Sequence, residues 1–90
     1  MPRVKIVISP LITPTGEEAE LEVSATTLKS ALEGLTEVYG KSFRRRIFHK
    51  DGELACIVFL NGANVWSAEQ LDAHLKGNDR ITLIVGSGGG

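Results

Sequence analysis

The sequence has a single cysteine, Cys56, in 90 residues. One thiol cannot close an internal disulfide, and a lone Cys offers no zinc-ligand spacing, so no bound metal is expected. Long apolar runs are also missing. No stretch approaches the ~18 residues of a membrane span. The start, MPRVKIVISP, has neither the apolar stretch nor the cleavage site of a signal peptide. The expected location is cytoplasmic, with no membrane partner. Excess charge is missing too: ten basic and eleven acidic residues give a formal net charge of -1. That balance carries no global basic footprint for nucleic acid. Aromatic residues make up only 6% of the chain, and none interrupts the short basic run Arg44-Arg45-Arg46. The run reads as a solvated face, with steering toward an acidic partner surface as the alternative.

Catalytic machinery is equally scarce. No G-x-x-x-x-G-K-[ST] loop is present and the glycines are expected to precede no helix, so the chain is not expected to bind ATP itself. His49 and His74 lie far apart and lack ligand spacing. Glu17, Glu18, Glu20 and Glu22 read as a solvated edge. Trp66 has no aromatic companions and reads as packing. No set of acid, base and nucleophile emerges, so an independent enzyme is not expected.

What remains is patterning. The length suits one domain with a single modest core. Residues 3–9 (RVKIVIS) alternate, with Val4, Ile6 and Ile8 on one side and Arg3, Lys5 and Val7 on the other. That period of two predicts a half-buried strand. Pro10, Pro14 and Thr15-Gly16 mark a turn region. Residues 18–24 (EAELEVS) alternate again, placing a Glu row on the same outer face as Arg3 and Lys5. Opposite charges across such a hairpin contribute about 0.2–1 kcal/mol each. The period then changes. Leu28, Ala31, Leu32, Leu35, Val38 and Tyr39 recur at spacings of three and four, predicting a helix over 27–39. Thr26 or Thr27 would cap it, and Gly40 suits the left-handed residue after its last turn.

Residues 41–54 show no clear element beyond the Asp51-Gly52 turn. Residues 55–60 (ACIVFL) predict a strand ending at the tight-turn pair Asn61-Gly62. Cys56 falls on its inward register and reads as a small apolar core residue. Val65 and Trp66 would start a short fourth strand. Leu71, Ala73 and Leu75 belong to a connection, and Gly77-Asn78-Asp79 makes a turn. Residues 80–85 (RITLIV) predict the last strand, with Ile81, Leu83 and Val85 on one side. The order is strand, strand, helix, strand, short strand, strand. First and last strands can pair in parallel at the centre, with the helix across one face. The expected fold is α+β, a β-grasp with a mixed sheet of about five strands. Residues 1–85 form the domain. Gly86, Ser87, Gly88, Gly89 and Gly90 are expected to form a flexible tail.

The segment 79–90, DRITLIVGSGGG, resembles the end of the MoaD/ThiS/CysO-like sulfur carriers, which are ubiquitin-like β-grasp proteins. Those proteins finish with an Asp-bearing turn, an alternating strand and a terminal Gly-Gly. Residues 58–62, VFLNG, resemble the family's apolar strand ending in Val-Asn before a turn. The stretch from Tyr39 through Asn61 is nearest the CysO-like group. Val85 and Gly86 stand where many members carry proline. The resemblance implies that this chain is a carrier and not an enzyme. It implies that a ubiquitin-activating-type (MoeB/ThiF-like) adenylyltransferase uses ATP to convert the Gly90 carboxylate to an acyl-adenylate. A sulfur donor then makes a thiocarboxylate, which a downstream sulfur-accepting synthase consumes. The product could be cysteine, molybdopterin, thiamin or thiolated tRNA. A ubiquitin-like modifier joined through Gly90 to target lysines is the runner-up. A non-covalent ubiquitin-like interaction domain is a third reading.

The residue types fit that chemistry on their own terms. An α-carboxyl group titrates near ~3.5, so at neutral pH it is ionised and a poor electrophile until activated. A tail nearly free of side chains can thread a narrow channel. Its five residues reach at most ~16–18 Å. Ordering them costs on the order of 5–10 kcal/mol, so docking contacts are needed on the folded body. The alternation points Val7, Ile57, Phe59 and Ile84 outward, as one apolar patch for partner docking.

Overall fold

The structure, a computed structural model, describes residues 1–65 and 68–85. The first alternating segment is strand β1, Arg3–Ile8, and the second is β2, Ala19–Ser24. They pair antiparallel, Ile6 opposite Leu21 and Lys5 opposite Glu22. Val4, Ile6 and Ile8 are buried, while Ala19, Leu21 and Val23 pack half-buried beside them. The outer face carries the anticipated charge pairs, Arg3–Glu22 and Lys5–Glu20, each at 3.1 Å.

Helix α1 spans Leu28–Tyr39 and is capped by Thr27. The Thr27 Oγ1 accepts from the Ser30 amide at 3.2 Å, and the Thr27 amide donates to Ser30 Oγ at 3.1 Å. This reciprocal pair satisfies two donors that the first turn would leave orphaned. Leu28, Ala31, Leu32 and Leu35 are buried against the sheet side. Val38 is not; it is 68% exposed, although Tyr39 after it still packs half-buried against the core. Gly40 has positive φ (95°) as expected, but its ψ of -173° is not that of a left-handed cap. It turns the chain straight into a second helix, α2, Lys41–Ile47. The pattern did not reveal α2: its two turns are too short for a period to show, and three arginines interrupt the apolar positions. Phe43, Ile47 and the following Phe48 are all buried, with the Phe43 ring 4.6 Å from that of Tyr39.

Strand β3 is shorter than the alternation predicts, Ile57–Leu60, which leaves Cys56 just before it. It turns at Asn61-Gly62 into β4, Ala63–Val65. Asn61 (φ 51°) and Gly62 (φ 86°) both take positive φ, as a tight two-residue hairpin turn requires. A 3-10 turn over Ala68–Asp72 leads toward β5, Arg80–Ile84. Val85 lies beyond that strand and is exposed, not in the core. Trp66, expected to pack and to continue the short fourth strand, lies outside the described residues. The sheet order is β2-β1-β5-β3-β4, with β1 and β5 parallel and the other pairs antiparallel. This is the β-grasp arrangement, α+β in class, with both helices on one face.

Two turns are tied by a side-chain bridge. Asn61 Nδ2 donates to Asp79 Oδ1 at 2.9 Å, and the Lys76 amide donates to Asp79 Oδ2 at 2.7 Å. Asn61 Oδ1 accepts from the Arg80 amide at 2.8 Å. The Lys76 amide, then the Asn61 side chain and the Lys76 charge, hold the Asp79 carboxyl below the usual carboxylate range. A carboxyl depressed in the folded state adds stability above its unfolded pKa, and that stability is lost as pH falls through the folded value. Asp79→Asn should therefore melt a few degrees lower than wild type at neutral pH. The gap should narrow as pH falls below the usual carboxylate range and close once the folded carboxyl is itself protonated, leaving both side chains neutral. Thermal unfolding followed across that range checks this; a constant gap would assign the loss to something other than the carboxylate's charge.

Candidate functional site

Period two gives the sheet a second face. On β1, Val7 lies between the buried Ile6 and Ile8 and so points away from the helices. Ile84 alternates with Leu83 on β5, and Ile57 and Phe59 flank Val58 on β3. The structure brings all four to the outer face. Ile57 sits directly opposite Ile84, and Phe59 opposite Thr82. Val7 lies beside Thr82 on the other side. Thr82, which the apolar pattern passes over, is therefore the centre of the group. Each of the five is half-buried, so side chains on this face shield one another and the patch is less exposed than the alternation alone suggests.

The rows across the sheet define the site's borders. One row reads Glu20, Val7, Thr82, Phe59, Asn64 across the five strands. The next row toward the start of β5 is charged: Glu22, Lys5, Arg80. In the other direction lies the Ile84–Ile57 pair, where β5 ends. There the Ser9 amide donates to the Leu83 carbonyl at 2.9 Å, bringing the loop after β1 against the strand's exit. That loop is anchored from inside. Ile12 and Thr13 are buried, Thr13 Oγ1 donates to the Glu17 carbonyl at 2.7 Å, and Arg46 Nη1 donates to the Ile12 and Thr13 carbonyls at 2.8 and 3.2 Å. The basic run is thus not only a solvated face: Arg46 clamps a loop. Arg44 stacks its guanidinium over Phe48, 5.2 Å from the ring centre.

Gly86, Ser87, Gly88, Gly89 and Gly90, read as the tail, lie outside the described residues. What the structure describes is the strand that leads to them and the surface beside its end. His49 and His74 are exposed. Among the described residues, no group of three His, Cys, Asp or Glu side chains gathers as a metal site. Cys56 packs half-buried against the core, and burial pushes its thiol up to about 11, against a smaller lowering by a backbone hydrogen bond. The thiolate is the nucleophile, so a raised pKa makes this residue unreactive at neutral pH. Alkylation of Cys56 by iodoacetamide near pH 8 should be at least about tenfold slower in the folded protein than in denaturant, timed by intact mass. Equal rates would show a more exposed thiol than the structure gives.

No family model matches the chain. It is 28% identical over 75 residues to a candidate sulfur carrier protein of Archaeoglobus fulgidus, covering 81% of this chain and 84% of that one. Its structure is similar to the solution structure of small archaeal modifier protein 1 from Methanosarcina acetivorans, with TM-score 0.74, 27% identity, and coverage of 100% of this chain and 98% of the other. The crystal structure of the Haloferax volcanii protein of the same name is similar in fold, with TM-score 0.71, 20% identity, and coverage of 98% and 99%.

Proposed function

We propose that this chain, a MoaD/ThiS-like protein of the ubiquitin fold, carries sulfur as a thiocarboxylate on Gly90. The observation that carries the reading is where β5 leads. The central strand ends at Ile84, beside Ile57 on an apolar outer face, and the sequence continues directly into Gly86-Ser87-Gly88-Gly89-Gly90. A surface for docking and an acyl group for activation are thus adjacent in one short stretch. The chain itself offers no nucleotide-binding loop, so activation falls to a partner adenylyltransferase of the ubiquitin-activating (MoeB/ThiF-like) type.

The steps balance simply. The Gly90 carboxylate attacks the α-phosphate of ATP and releases pyrophosphate, leaving a mixed anhydride. A sulfur donor at the oxidation level of sulfide then attacks the carbonyl and expels AMP, and the thiocarboxylate remains. On a downstream sulfur-accepting synthase the thiocarboxylate sulfur bonds to the acceptor, and water then cleaves the acyl–sulfur bond, leaving the sulfur on the acceptor and regenerating the Gly90 carboxylate. Docking on Val7, Ile57, Phe59, Thr82 and Ile84 supplies the free energy that ordering the tail costs. The likeness to a small archaeal modifier protein favours a second reading, in which a target lysine takes the place of sulfide and forms an isopeptide bond.

Incubation of the full chain with its activating enzyme, ATP and sulfide should raise the intact mass by the difference between sulfur and oxygen. Removal of Gly90 should abolish the change. An unchanged wild-type mass rejects the thiocarboxylate; discrete larger species on cellular proteins, lost with Gly90, select the modifier. Ile57→Asp and Phe59→Asp should each lower the activation rate at least about tenfold while leaving the amide spectrum native-like. Full activity in both disposes of the docking face.

A further inference from the structure

Lys5 and Arg80 are register neighbours in the central parallel pair, both on the outer face. Like charges side by side on adjacent strands oppose pairing. Lys5 is balanced by Glu20, and Arg3 by Glu22. Arg80 is not balanced: its backbone bonds to Asn61, but its guanidinium has no hydrogen bond or ion pair among the described residues. These groups line a concavity of about 370 Å³ formed by Arg3, Val4, Lys5, Glu22, Asn78 and Arg80. The backbone there is fixed, with the Asn78 amide donating to the Arg3 carbonyl at 2.9 Å and the Lys5 amide to the Asp79 carbonyl at 2.9 Å.

This concavity continues the apolar row. Val7 is two residues beyond Lys5 on β1, and Thr82 two beyond Arg80 on β5, so one step along the strands leads from cations to the docking face. A body seated on Val7, Thr82 and Phe59 overhangs the free guanidinium. We infer that the Arg3–Lys5–Arg80 concavity receives an Asp or Glu side chain of the protein that docks on the apolar face, with Arg80 as its principal contact. The inference rests on the docking reading above and adds the partner's charge to it. A planar guanidinium fork suits a carboxylate. Glu20 and Glu22 at the β2 edge restrict the anion to the Arg80 side, away from their own charge. The like-charge contact between Lys5 and Arg80 is then relieved in the complex.

The test compares wild type, Arg80→Gln, Arg80→Glu and Phe59→Asp for association with the activating enzyme. Rates are measured at about 0.05 and 0.5 M NaCl, where screening lengths differ severalfold. Arg80→Glu should slow association roughly tenfold at low salt and flatten the salt dependence. Arg80→Gln should show a smaller slowing, with a melting temperature equal to or above wild type because a like-charge contact is gone. A purely structural Arg80 would instead lower the melting temperature and leave the salt slope intact, which overturns the inference. Phe59→Asp separates the two readings. If it weakens binding while both Arg80 variants behave as wild type, the carboxylate contact falls and the docking face stands. If it is silent as well, the docking face falls with it. Titration of the free protein with inorganic phosphate is the remaining arm: saturable shifts confined to Arg80 and its neighbours would assign the concavity to a phosphate group and reject a protein carboxylate.

Discussion

The parallel pairing of β1 with β5 is the constraint on which the rest of the molecule depends. Ile6 lies beside Ile81 and Ile8 beside Leu83, all four fully buried. Two parallel strands cannot be joined by a tight turn; the chain must cross over between them. Here β2, both helices, β3 and β4 all lie within that crossover. Pairing in parallel also makes the two strands start together and finish together. The starts are joined through the Lys5 amide and the Asp79 carbonyl, and the finishes through the Ser9 amide and the Leu83 carbonyl. The outer face therefore has two distinct ends, cationic where the strands begin and apolar where β5 leads into the glycines.

The sheet's two faces do different work, and the register keeps them apart. A slip of one residue would turn Arg80 and Thr82 into the core and expel Ile81 and Leu83. Turn chemistry guards against that slip. Positive φ at Asn61 and Gly62 sets the β3–β4 hairpin, and the same Asn61 is locked to Asp79 and the Arg80 amide at the start of β5. The Asp-bearing turn and the Asn before Gly62, two marks of the family likeness, are thus one hydrogen-bonded unit. Their physical role is to hold β3 and β5 in the alignment that puts Ile57 opposite Ile84 and Phe59 opposite Thr82.

The helical side is held by a different device. Gly40 breaks the helix that the apolar stripe begins and redirects the chain into α2, which drives Phe43 and Ile47 into the core. Arg46, from the same short helix, reaches out to the Ile12 and Thr13 carbonyls and so fixes the loop beside the exit of β5. The position of the end of β5 is therefore determined by contacts from both sides of the sheet.

Alternation and helical spacing were enough to read β1, β2, β3, β5, α1 and a threonine cap at 26 or 27, because each depends on neighbours a few residues away; β4, read as starting at Val65, ends there instead. The parallel centre followed from element order, and the outward set Val7, Ile57, Phe59 and Ile84 from parity alone. Other features depend on partners distant in the chain. Phe43 and Ile47 are core residues only because α1 and the sheet leave room for two more turns. Val38 and Val85 fit apolar patterns yet remain exposed, because nothing packs over them. Thr82 gains its central place from its neighbours on β1 and β3, not from its own polarity. That the Arg80 guanidinium finds no partner among the described residues comes about in the same way: Glu20 and Glu22 lie across β1, within reach of Lys5 and Arg3 but one strand too far to pair with it. Local patterns can fix which way a side chain faces; which charge goes unmatched is decided only when strands distant in sequence are laid side by side.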